Sequence, residues 1–81
     1  MKNVISKRGD SIKVKGDFFV TYSAERGGEK YITTHLNPCG GSSSFLSADD
    51  LNKIWQSKYK GLNPFNGDSN FEVLHIQQRF N

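Results

Sequence analysis

The tetrapeptide Ser47-Ala48-Asp49-Asp50 sets the plan of this chain. A hydroxyl at a helix N-cap accepts a hydrogen bond from a first-turn amide, and carboxylates in that turn sit at the positive end of the helix dipole. Leu46 and Leu51 occupy the two staple positions, and Leu51, Ile54, Trp55 and Tyr59 recur at helical spacing. Lys58 and Lys60 lie toward the negative end, and Gly61 is a natural stop. The spacing predicts a single helix over roughly residues 48–60.

Upstream of that helix the pattern has period two. Ile12, Val14, Phe18, Val20, Tyr22 and Ala24 fall on even positions, while Lys13, Lys15, Asp17, Thr21 and Ser23 fill most of the odd ones. That alternation is a strand pattern, and Gly16-Asp17 marks a turn, kink or bulge within it. Phe19 interrupts the polar row, which implies a register shift or a ring covering the second face of the sheet. Glu25-Arg26-Gly27-Gly28-Glu29 reads as a turn, and Lys30 to Leu36, rich in Tyr, Ile and Thr, reads as the returning strand of a hairpin. Asn3 to Ser6 is a short strand candidate, turning through Lys7-Arg8-Gly9-Asp10. Asn37 to Ser44 is predicted to be an irregular connection, given its Pro, Gly and Ser content.

Beyond the helix, Pro64 and Asn66-Gly67-Asp68 make a turn-rich loop. Phe71 to Phe80 is a strand with Phe71, Val73 and His75 on one face and Leu74, Ile76 and Phe80 on the other. Being apolar on both faces, it belongs inside the sheet. The fold class is therefore α+β: one compact domain with a small antiparallel or mixed sheet of three to five strands and one helix packed on one face.

Length and composition bound the function. Eighty-one residues bury only about 60–65% of the surface their unfolded chain exposes, which leaves little room for a deep catalytic cavity. Six Phe, three Tyr and one Trp supply large rings that help a small core suffice or form a recognition surface. The single cysteine, Cys39, precludes an internal disulfide, and no apolar run reaches the length of a leader or a membrane span. A cytoplasmic protein with no membrane association is the expectation.

The net charge of +3 is modest, but Lys2, Lys7, Arg8, Lys13 and Lys15 crowd the first fifteen residues, and Lys53, Lys58 and Lys60 line the helix segment. Two basic patches on a near-neutral body are implied.

Motifs with catalytic chemistry are scarce. Cys39 with His35 or His75 would make a thiolate and imidazole pair, yet nothing in the spacing assigns an orienting group or an oxyanion hole. One Cys and two His fall short of a usual zinc set, so neither metal nor cofactor is expected. His75 reads as a core or interface histidine. Gly40-Gly41-Ser42-Ser43-Ser44 lacks the Gly-Lys-Ser/Thr ending of a phosphate loop, and Asp49 and Asp50 would repel an anion at that helix start. Arg8-Gly9-Asp10 is explained by turn geometry.

These observations point to a non-enzymatic binding protein that occupies a site on a larger protein or nucleoprotein complex. Its expected contact residues are Lys13, Lys15, Phe19, Arg26, Lys53, Lys58 and Lys60. In size and character the chain resembles, in type only, phage- or mobile-element-encoded inhibitors of the anti-CRISPR or anti-defence kind. Two alternatives stand beside this reading. One is a direct RNA or single-stranded nucleic-acid-binding module, whose alternating lysines and rings such binding uses. The other is a Cys39-dependent enzyme. A homodimer through an unpaired sheet edge is compatible with either binding reading.

Overall fold

The computed structural model describes residues 5–6, 9–38 and 43–79. Its elements run β1 (Ile5–Ser6), β2 (Ser11–Lys15), β3 (Phe18–Arg26), β4 (Glu29–Asn37), β5 (Ser43–Ser47), α1 (Ala48–Tyr59) and β6 (Ser69–Gln78). Strands β1-β6-β3-β4 form an antiparallel sheet in that order, and β2 and β5 form a separate antiparallel ribbon. This is an α+β fold, with β6 inside the sheet as its apolar pattern requires.

The even-numbered row of the first half is buried throughout: Val14, Phe18, Val20, Tyr22 and Ala24 all enter the core, and Ile12 packs beside it. The strand is cut at Gly16, whose φ of 73° belongs to the left-handed region that glycine enters without a Cβ clash. The halves on either side do not pair with each other. β3 pairs with β4 and β6, while β2 is carried off to pair with β5. β3 and β4 are joined by Gly27-Gly28, both at positive φ, the requirement of a two-residue hairpin turn matched to strand twist.

Two expectations are corrected here. Ser43 and Ser44 are not part of an irregular connection but begin β5, because Val14 and Lys15 offer them a partner strand. Cys39 to Ser42 lie outside the described residues, as do Asn3, Val4, Lys7, Arg8 and Phe80. The facing of β6 also differs from simple alternation. Phe71 and Val73 are buried, and then the buried row moves to Ile76 and Gln78, leaving His75 half-buried. The cause is a register shift between Thr21 and Tyr22, which pair with His75 and Val73, so that β6 carries one extra residue there.

Helix α1 begins as its cap signature requires: the Ser47 hydroxyl accepts the Asp50 N–H at 3.0 Å. The left-handed exit falls first on Lys60 (φ 54°) and then on Gly61, and the Leu62 N–H closes back on the Tyr59 carbonyl. Ala48, Leu51 and Trp55 face the sheet. Trp55 meets Phe71, Phe65 and Tyr59, and Phe65 stacks on Tyr22 at 5.6 Å. Full burial of a residue the size of Leu51 is worth about 1.5–3 kcal/mol, so this aromatic-rich seam is the main attachment of helix to sheet.

Buried polar side chains complete backbone bonding where strands end. Gln78 sits in the core wall with its Oε1 accepting the Lys15 N–H at 2.5 Å and its Nε2 reaching the carbonyls of Lys15 and Asp17 at 2.9 Å. It thereby joins the ribbon to the main sheet across 63 residues of chain. On the stretch of β6 that β1 does not cover, the Val73 N–H donates to Asn52 Oδ1 at 3.1 Å, and the Gln56 amide donates to the Phe71 carbonyl.

Candidate functional site

The ribbon has an inward and an outward face. Directly opposed residues of an antiparallel pair share a face, so the pairs Ile12↔Leu46 and Lys13↔Phe45 point to opposite sides. Ile12 and Leu46 pack against the core, and Lys13, Lys15 and Phe45 therefore stand outward together. Phe45 is 71% exposed, more than any other large apolar side chain among the described residues. Phe45 was not legible as a contact residue, because its exposure depends on a pairing between segments more than thirty positions apart.

Helix α1 repeats the arrangement. Lys53, Lys58 and Lys60 are all exposed, and Ile54, 53% exposed, lies one turn from Lys58. The Lys58 ammonium rests 5.4 Å from the Tyr59 ring centre. Both surfaces thus set an apolar side chain among lysines.

The other two expected contact residues are elsewhere. Phe19 is half-buried on the outer face of the main sheet, between Leu36 and Gln77. Arg26 closes the hairpin at the far end of β3, roughly 23 Å along the strand from Phe19. Arg26 is engaged within the fold: its Nη2 is 3.0 Å from Asp68 Oδ2, and its guanidinium lies over the Tyr31 ring at 5.8 Å.

Around that ion pair is the densest polar cluster described. The Tyr31 hydroxyl donates to Asp68 and accepts from Asn63 and Asn66 at 3.3 and 3.2 Å. The Asn66 carbonyl oxygen in turn accepts the Asp68 N–H at 3.1 Å. The Tyr31 hydroxyl, then Arg26, holds the Asp68 carboxyl below its ordinary value. Burial pushes the neighbouring Tyr22 phenol above its ordinary value, opposed in part by hydrogen bonding with Asn63. Tyr22 lies 3.4 Å from His35 Nδ1. These contacts tie the loop before β6 to the hairpin.

Two shallow depressions border these elements. One, of about 320 Å³, is lined by Arg26, Glu29, Lys30 and Tyr31; the other, of about 400 Å³, by Asn52, Gln56, Gly61, Asn70, Phe71 and Glu72. Neither gathers a nucleophile, a base and an orienting group. His35 faces Tyr22 and Phe65 on the inner side of the sheet, whereas His75 pairs with Thr21, whose hydroxyl meets Thr34 at 2.8 Å. Among the described residues no group of three His, Cys, Asp or Glu side chains is placed to hold a metal. Cys39 lies outside them. Strand β5 runs directly into the helix start, so no glycine-rich loop leads into the helix N-terminus, in line with the sequence-based rejection of a phosphate loop.

Among the described residues no helix is long and apolar enough to cross a membrane. Comparison with protein-family models, with curated proteins and with solved structures gives no match.

Proposed function

We propose that the protein is a non-enzymatic binding module that seats on a larger protein or nucleoprotein complex presenting an acidic surface with an apolar centre. The observation that carries this reading is Phe45, exposed directly across from Lys13 and diagonal to Lys15 on the outward face of the ribbon. An aromatic ring left in water supplies large contact area once covered, and lysines around it speed encounter with an acidic partner.

The helix surface favours a protein over a single nucleic-acid strand. Ile54 among Lys53 and Lys58 repeats the same chemistry, yet an isoleucine offers no face for a base to stack on. Small size and scarce catalytic motifs suit an inhibitor that acts by occlusion, of the kind phages and mobile elements direct against host defence. The single cysteine suits the cytoplasm as the place of action. Direct binding of a single strand is the second reading, supported by the same Lys13-Phe45-Lys15 platform.

Affinity capture from host lysate with the wild-type chain and with Phe45→Ser, each with and without nuclease, tests the reading. A protein retained after nuclease and lost with Phe45→Ser supports it. Retention of nucleic acid alone favours the second reading, and capture indifferent to Phe45→Ser removes the ribbon from the footprint.

A further inference from the structure

Strand β4 is nine residues long, pairs with β3 without a register shift, and among the described residues has no strand on its other side. The Gly27-Gly28 turn fixes which of its backbone groups are spare. In a two-residue hairpin the closing pair, Arg26↔Glu29, exchanges both ladder bonds, and such pairs alternate along the strand. Glu29, Tyr31, Thr33, His35 and Asn37 therefore turn their N–H and C=O groups toward β3. Lys30, Ile32, Thr34 and Leu36 turn theirs outward, as a row of donors and acceptors suited to another strand.

The side chains of that outward row are symmetric about Thr34. Ile32 and Leu36 lie two places to either side, 64% and 38% exposed, and both are on the face of the sheet away from the helix. An antiparallel pair across a two-fold axis requires this pattern, because each residue must suit its counterpart in both directions. We propose that two copies of this chain associate through β4, antiparallel about an axis at Thr34, merging two four-stranded sheets into one continuous sheet.

In this register Ile32 of one copy lies directly across from Leu36 of the other, twice, and Thr34 faces Thr34. The two most exposed apolar residues of the strand then cover each other, and no like charges are opposed. Centring the axis on Thr33 would add ladder bonds but set Lys30 against Leu36 and leave Ile32 against threonine. Ladder bonds to a partner replace bonds to water and yield little net, so the apolar pairing decides the register. Of the outward row Lys30, Ile32, Thr34 and Leu36, only Lys30 carries a charge that guards the edge. The interface is independent of the ribbon and of its proposed partner.

Sedimentation over a concentration series, together with disulfide trapping in a Cys39→Ser background, tests the proposal. The expected result is a concentration-dependent dimer. Ile32→Lys with Leu36→Lys should weaken it by about tenfold or more while the circular dichroism of the monomer is kept, since both side chains are solvent-facing. Thr34→Cys should cross-link to itself under mild oxidation, its paired Cα atoms lying within disulfide reach at about 5.5 Å. Ile32→Cys should not, because its counterpart lies about 13 Å away along the strand. A monomeric mass throughout the series overturns the proposal, as does a dimer that cross-links through Ile32→Cys or ignores the double lysine variant.

Discussion

Asn52 Oδ1 accepts the backbone N–H of Val73 at 3.1 Å, so that a helix side chain serves β6 where, among the described residues, no strand pairs on that side. One turn on, the Gln56 amide serves the Phe71 carbonyl on the same edge, and the Gly61 carbonyl accepts the Phe71 N–H. The edge of β6 is thus satisfied by polar groups of α1 and of the turn just beyond it, within reach of the apolar seam at Leu51 and Trp55.

Replacing Asn52 by Leu leaves the Val73 N–H without its acceptor in a half-buried setting and should cost about 1–3 kcal/mol. Asn52→Asp keeps an acceptor and should cost much less. Urea titration of both variants against wild type checks the difference; equal losses would mean that the hydrogen bond is not what the residue contributes.

Gln78 is a second such case, with more at stake. Gln78→Leu has nearly the same volume but strips partners from the Lys15 N–H and from the carbonyls of Lys15 and Asp17. The expected loss is about 3 kcal/mol, read as a shift of the denaturation midpoint with little change in slope.

Asp68 gives stability a sign in acid. Its carboxyl titrates below the ordinary value of 3.8 in the folded chain because Tyr31 and Arg26 favour the ionised form. That contribution is present in full above the unfolded-state value and is lost as pH falls through the lower folded-state value. Asp68→Asn should flatten the fall in stability below about pH 4 relative to wild type, measured as midpoint against pH. An acid limb of unchanged steepness would assign it to other carboxylates.

The hairpin turn separates conformational cost from contact. Neither Gly27 nor Gly28 has any atom within 4 Å of where a Cβ would stand, so their role is backbone freedom alone. Gly28→Ala should cost about 1 kcal/mol. Gly27→Asn should be neutral or slightly stabilising, since Asn-Gly is the favoured pair for this turn. Thermal melts distinguish the two.

For the proposed partner, replacing Lys53, Lys58 and Lys60 by Ala should slow association and flatten its salt dependence while leaving dissociation nearly unchanged. Stopped-flow or surface-binding kinetics against the captured protein would show it. Unchanged association at every salt concentration would take the helix out of the contact.

What was readable in the chain follows the range of the interactions involved. The Ser47 cap and the Gly27-Gly28 hairpin are set by neighbours a few residues apart and form as their residues imply, and Leu51 and Trp55 turn inward as their spacing predicts, whereas Ile54 of the same apolar row stands 53% exposed. β5 was not readable: Ser43 and Ser44 look like loop until β2, distant in sequence, supplies the ladder. The extra residue in β6 opposite Thr21 and Tyr22 is likewise a product of pairing, so alternation alone puts His75 in the wrong row. The lysines were visible as a solvent-facing row, whereas Phe45 beside them and Asp68 beneath Arg26 emerge only when remote segments meet.

The Gln78 bridge bears on how the outward ring is aimed. Among the described residues the ribbon shares no ladder with the main sheet; it is held by the packing of Ile12, Val14 and Leu46, by the direct run of β5 into α1, and by the hydrogen bonds of Gln78. Gln78 ties the end of β2 to β6, so a lesion at that one buried amide would tilt the platform that carries Phe45 without altering one atom of the surface that Phe45 presents.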